Sequence, residues 1–130
     1  MVHALPLTGP AKGRMILAWA LQALLAAAFL AAGGSKLLGA EPMVQLFDAI
    51  GIGQWFRYLT GLVEISGAVL LLIPGYAAFG GALLAGTMAG AVITHLFVIG
   101  GSPLAALVLF VLASTVVWLR RTQLTTTLGR

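Results

Sequence analysis

Gln54–Ile73 reads QWFRYLTGLVEISGAVLLLI: an apolar run of membrane-spanning length with a single carboxylate, Glu64, inside it. A charge at bilayer depth costs about 2.5 kcal/mol or more, so it is retained where it is paired, protonated or facing a polar cavity. The run therefore sets both terms of the problem. The chain crosses a membrane as helices, and its other helices must supply something for Glu64.

The composition agrees. Of 130 residues, 61% are hydrophobic and only 8% charged, with a mean hydropathy of +1.09. Water-soluble domains carry about a quarter charged residues. One domain is expected at this length, with its core built between helices. The seven Lys and Arg outnumber the three Asp and Glu, giving a formal charge of +4. These bases sit at the ends of apolar runs and form no basic stripe interleaved with aromatics, so membrane topology accounts for them and nucleic-acid binding does not. The absence of cysteine excludes disulfides, thiolate metal sites and thiol redox chemistry.

Outward from the central run, the chain divides cleanly. Residues 1–14, MVHALPLTGPAKGR, lack apolar periodicity and read as a mobile tail ending in Lys12 and Arg14, with His3 solvated. Met15–Gly34 is the first span. Its basic start and the small residues of AAAFLAAGGS imitate a secretory signal, but it is longer than a signal core and reads as a retained helix. Lys36 stands at its far end. In MVQLFDAI, Met43, Leu46, Phe47 and Ile50 follow the i, i+3, i+4, i+7 spacing of one apolar helix face, so a short interfacial helix is expected there, starting at Glu41-Pro42 and ended by Gly51 and Gly53.

The second span covers 55–73, Pro74-Gly75 turns the chain, and the third covers 76–99. Within the third, Ala78, Ala82, Gly86, Gly90 and Thr94 form a stripe of small residues, and Gly86/Gly90 are expected to admit a neighbouring helix backbone. Ser102 and Pro103 look like the N-cap and first helical residue of a fourth span, 103–119, which stops at Arg120-Arg121. Residues 122–130 read as a polar tail. The expected fold is thus all-α: an integral membrane four-helix transmembrane bundle, residues 15–121, with an interfacial helix between spans one and two.

Four spans put both termini on one side. That side holds Lys12, Arg14, Arg120, Arg121 and Arg130, against Lys36 and Arg57 on the other, which predicts cytoplasmic termini. The aromatic belts agree, with Trp19, Tyr76 and Trp118 at inner ends and Trp55 and Tyr58 at the outer end.

Depth now singles out three residues. Glu64 lies roughly 12 Å below the outer end of its span and His95 roughly 7 Å, at 1.5 Å per residue. Lys36 sits at the outer end of span one with a stem long enough to reach inward. Carboxylate, ammonium and imidazole thus occupy compatible depths in the outer half of the bilayer. The face around Glu64 carries small residues, Thr60, Gly61, Gly67 and Ala68, which leave room for a ligand or partner side chain. The face around His95 carries Met88, Ala91 and Val92, and the 43–50 helix is placed to cover the mouth. Plainer readings stand beside this one: a Lys36–Glu64 pair that only fixes register, a His95 that only bonds across helices, or a proton relay between Glu64 and His95. One His and one Glu without cysteine offer too few ligands for a metal, so none is expected.

Four short patterns then carry a resemblance: F-L-x-x-G-x-x-K-L at Phe29–Leu37, F-x-x-x-G at Phe47–Gly51, G-x-x-E-x-x-G-A-x-x-L-L at Gly61–Leu72, and T-H-L…G-G-S-P-L at Thr94–Leu104. In order and spacing the chain resembles the DoxX-like family of small four-helix membrane proteins over about residues 15–120. The resemblance implies a bacterial inner-membrane bundle, with relatives linked to quinone-coupled sulfur oxidation and membrane oxidoreductase assemblies. Lys36, Glu64 and His95 match the family's polar signature.

Two functions from different classes follow. In the first, an intramembrane pocket floored by Glu64 and His95, with Lys36 at its rim, holds a quinone or similar amphipathic molecule for a redox protein partner. Any catalytic part would then be that of a quinone-linked oxidoreductase subunit, with no metal cofactor of its own. In the second, the chain is a non-catalytic scaffold that docks a partner through Gly86/Gly90. A small-molecule transporter is a third reading and requires a homo-oligomer to enclose a path. All three have the lipid bilayer as the first partner.

Overall fold

No proline interrupts the chain between Ala11 and Leu38, and a single 30-residue helix, α1 (Gly9–Leu38), fills it. The computed structural model describes residues 9–128. His3, Arg130 and the tail at 1–8 lie outside that range. Residues 9–14, expected in a tail, instead form the first turns of α1, which also continues past 34 to include Lys36. It closes at Gly39, whose φ of 71° reverses the chain. Ala40 N–H donates to Ser35 O at 3.0 Å and Gly39 N–H to Lys36 O at 3.3 Å, the paired bonds of a helix stop that a left-handed residue permits.

The short helix α2 (Glu41–Ile50) starts with Pro42 in its first turn and stops at Gly51 (φ 88°). It buries Phe47 and leaves Glu41, Gln45 and Asp48 exposed, so its apolar spacing does produce one inward face. Then come α3 (Trp55–Leu72) and α4 (Ala77–Thr94), which runs into a π-helical turn at His95–Ile99. Last are α5 (Leu104–Leu119) and α6 (Arg121–Leu128). The N-cap of α5 is Pro103 rather than Ser102, one residue later than the sequence suggested, while Ser102 Oγ accepts the Leu104 N–H at 3.2 Å. The stretch after Arg120, expected as a polar tail, is helical to Leu128.

Among the described residues three stretches, Ala11–Leu38, Trp55–Leu72 and Ala77–Ile99, are long and apolar enough to cross a membrane. The fourth helix of the expected bundle, α5, is equally apolar but has 16 residues, about 24 Å at 1.5 Å per residue. In space α1 packs on α3, α3 on α4, α4 on α5, and α5 closes back on α1. The short helix α2 lies against α1, α3 and the π-helical turn, and α6 returns against α4.

Lipid offers little hydrophobic drive for joining helices, so packing depends on how closely backbones approach. Here the close approaches are made by Gly33, Gly61, Gly67 and Gly80, of which Gly61 and Gly67 were expected to border a pocket instead. A Cβ on Gly33 would lie 2.9 Å from Gly61 O, and one on Gly61 would lie 3.0 Å from Gly33 O, which joins α1 to α3. A Cβ on Gly80 would stand 2.7 Å from Gly67 O, joining α3 to α4. Gly86 and Gly90 do not serve this purpose: their Cβ positions meet nothing within 4 Å. Spacing alone picks out a small-residue stripe, but which stripe faces a helix depends on rotation.

The core between the helices comprises Leu25, Phe29, Ala68, Leu71, Leu84, Ala113 and Val116 among others. Among the described residues three polar side chains, Gln22, Arg57 and Glu64, are buried with it, while Ile16, Leu24, Leu62, Ile93 and Val111 face outward. Polar groups inside and large apolar groups outside are the distribution expected when the surrounding solvent is lipid.

Candidate functional site

Glu64 is 2% exposed, halfway along α3, where the Gly33/Gly61 contact holds α1 against it. The last turn of α1 brings Lys36 to the same depth, and its Nζ lies 2.8 Å from Glu64 Oε1. This is an ion pair by distance. Oε1 is sealed from solvent and receives no hydrogen bond of proper geometry from any donor among the described residues.

A cavity of about 460 Å³ opens beside the pair. Lys36, Glu64 and His95 all line it, as do Thr60, Met88 and Ala91. The remaining wall is mostly apolar: Ala28, Phe29 and Ala32 from α1, Leu46, Phe47 and Ile50 from α2, Phe56, Leu59 and Val63 from α3, Ile99 from the π-helical turn, and Ala106 and Leu109 from α5. Gly86, Thr87, Gly90 and Thr94 complete it from α4. The glycines expected to seat another helix therefore border open space instead.

Three residues expected on the wall are elsewhere. Gly61 is taken up by Gly33 and Leu37, Gly67 faces the Leu84 side chain, and Ala68 is fully buried in the core. Their small size serves helix contact, and α3 turns larger residues, Phe56, Leu59 and Val63, toward the cavity.

His95 shares the cavity with the ion pair, but its hydrogen bond is local rather than across helices. Its Nδ1 lies 2.9 Å from Gly100 O. A carbonyl only accepts, so the proton is assigned to Nδ1, and in the neutral ring Nε2 is left as an acceptor. The π-helical turn and the positive φ of Gly100 and Gly101 (74° and 76°) bring that carbonyl back to the ring. The threonine hydroxyls of the wall bond their own helix: Thr60 to Phe56 O, Thr87 to Leu83 O and Thr94 to Gly90 O, each at 2.8 Å. The polar groups left to meet a ligand are Lys36, Glu64 and His95.

Two buried residues were missed by sequence reasoning. Arg57, noted there only as an outer-side charge, is 5% exposed. Its Nη1 donates to Lys36 O, its Nε donates to Gln54 Oε1 at 2.6 Å, and its guanidinium stacks on Tyr58 at 4.3 Å. Gln54 Nε2 in turn reaches Asp48 Oδ1 at 2.8 Å and Val44 O at 3.0 Å, both on α2. One chain of bonds thus ties the backbone of Lys36 to α3 and to the covering helix. Gln22 lies toward the opposite end of the bundle, 1% exposed, donating to Leu71 O at 2.7 Å and accepting from Arg120 Nε at 2.8 Å. Its signal was present in the sequence, since Gln22 is the single polar side chain in Met15–Gly34.

The model of the DoxX-like family matches residues 20–119, and the chain belongs to that family. Comparison with curated proteins and with solved structures gave no match.

Proposed function

We propose that this DoxX-like membrane protein holds a quinone or similar amphipathic small molecule in the cavity beside Lys36 and Glu64, and presents it to a redox partner in a bacterial inner membrane. The observation that carries the reading is the cavity itself: about 460 Å³, largely apolar, with an ion pair and an imidazole as its polar groups. That volume lies within the roughly 300–1,000 Å³ of small-molecule sites, and a few polar groups on an apolar wall are their usual composition.

Each polar group has a role in this reading. The Lys36 ammonium donates to a quinone carbonyl, exchanging part of its contact with Glu64 for the ligand. Glu64 and the His95 Nε2 acceptor take hydrogen bonds from the hydroxyls of the reduced ring, and receive their protons when the quinol gives its two electrons to the redox partner. Arg57, bonded to Lys36 O, positions the end of α1 and does not itself meet the ligand. The α2 helix lies along the interface as a cover over the mouth, its apolar face turned to the cavity.

The test is organic extraction of the detergent-purified protein followed by mass spectrometry. A quinone or prenyl lipid near one per chain is expected, and its loss from the Glu64→Gln variant. Because that variant also disturbs a buried pair, Gly90→Leu serves as a second probe: it fills the cavity from α4 and leaves the pair untouched. An empty extract from the unaltered protein would turn the search toward a protein partner and the scaffold reading.

A further inference from the structure

We propose that the end of the bundle opposite the cavity binds the headgroup of an anionic phospholipid, held by Arg14 and Arg121, which both lie beside Trp118. Arg14 comes from α1 and Arg121 from α6, yet both guanidinium centres lie near one indole, at 5.7 and 4.5 Å from the Trp118 ring centroid. Bringing two like charges to one ring in the absence of an anion is unfavourable, and the chain has no acidic side chain to offer. Its three acidic residues, Glu41, Asp48 and Glu64, all belong to α2 or to α3 beside the cavity. No Asp or Glu side chain is available at this end, so an anion from outside the chain is the fitting counter-charge.

A third arginine belongs to the same end. Arg120 stacks over Trp19 at 5.6 Å and donates through Nε to Gln22, while its Nη2 is sealed from solvent and has no hydrogen-bond partner among the described residues. The surroundings point to lipid rather than to a soluble anion. Trp118 is 56% exposed, and Ile16, Leu17 and Val111 stand exposed on the same helices, an apolar wall along which acyl chains can lie. Arginine and tryptophan at a helix end are placed where phosphates and glycerol groups lie.

The experiment uses the full chain in detergent and counts bound lipid by native mass spectrometry. Phosphatidylglycerol is compared with phosphatidylcholine at equal mole ratio, and thermal unfolding is followed with each lipid and with inorganic phosphate. The unaltered protein should retain phosphatidylglycerol about tenfold or more over phosphatidylcholine, because each basic residue near an anionic surface favours binding by about fivefold. Arg14→Gln with Arg121→Gln should remove most of that preference. Both side chains are exposed, so the fold should persist, and unfolding without lipid checks this. Lys12→Gln, at the same end, should leave most of the preference in place. Equal retention of the two lipids overturns the proposal, as does a double variant that binds like the unaltered protein. Equal loss in Lys12→Gln would mean diffuse attraction without a site. Stabilisation by inorganic phosphate equal to that by phosphatidylglycerol would overturn the lipid assignment in favour of a free anion.

Discussion

Lys36 and Glu64 could serve either the fold or the ligand, and paired substitutions separate the two. Lys36→Met leaves a buried carboxylate without its cation, and breaking such a pair from one side costs about 3–5 kcal/mol. Adding Glu64→Leu removes the orphaned charge, and well-packed apolar replacements of buried pairs are often neutral or better. Thermal unfolding in detergent should therefore show a large loss in the single variant and recovery of most of it in the double. Extracted ligand should be absent from both. A double variant that is stable and still carries the ligand would reduce the pair to a register device. The meeting of these two residues was legible in the sequence, because opposite charges at matching depth in lipid have few other partners. The hydrogen bond of His95 was not, since it depends on a π-helical turn that no periodicity announces.

At the scale of the helices, the information lies in the glycines, and the sequence gives their positions without their rotation. Gly61 and Gly90 are both small residues in apolar helices, yet one touches a backbone oxygen and the other faces the cavity. Gly61→Leu should separate α1 from α3, cost about 3 kcal/mol and displace Lys36 from Glu64, since the added Cβ would stand 3.0 Å from Gly33 O. Gly90→Leu should unfold within a few degrees of the unaltered protein and lose the extracted ligand. Unfolding midpoints with ligand content on the same samples test both. If Gly90→Leu keeps its ligand but loses a co-purifying protein, the glycine face docks a partner and the cavity reading fails. The helix at 41–50 was readable because its apolar residues repeat on one face. The close approaches at Gly33/Gly61 and Gly67/Gly80 were not, because whole apolar spans leave every face equally suited to lipid.

For the whole molecule, charge asymmetry and the up-down order of the helices make one joint prediction about orientation. Arg14, Arg120 and Arg121 gather at one end with Trp19 and Trp118, while the Lys36–Glu64 pair, Arg57 and the cavity occupy the other. By the positive-inside rule the cavity is predicted to lie in the outer half of the bilayer. The chain has no cysteine, so single introduced thiols report without background. Ile52, 53% exposed in the turn after α2, and Lys12, exposed near the start of α1, mark the two ends. In intact cells a membrane-impermeant maleimide should label Ile52→Cys and should reach Lys12→Cys only after permeabilisation. This also bears on α5, whose 16 residues span a core of about 30 Å only if the bilayer thins or flanking residues extend the path. Both ends labelling from one side would mean that α1 does not cross, and the bundle could not be a transmembrane one. Inverted labelling would keep the bundle but move the cavity to the cytoplasmic half, so that protons received by Glu64 and His95 would pass to the cell interior.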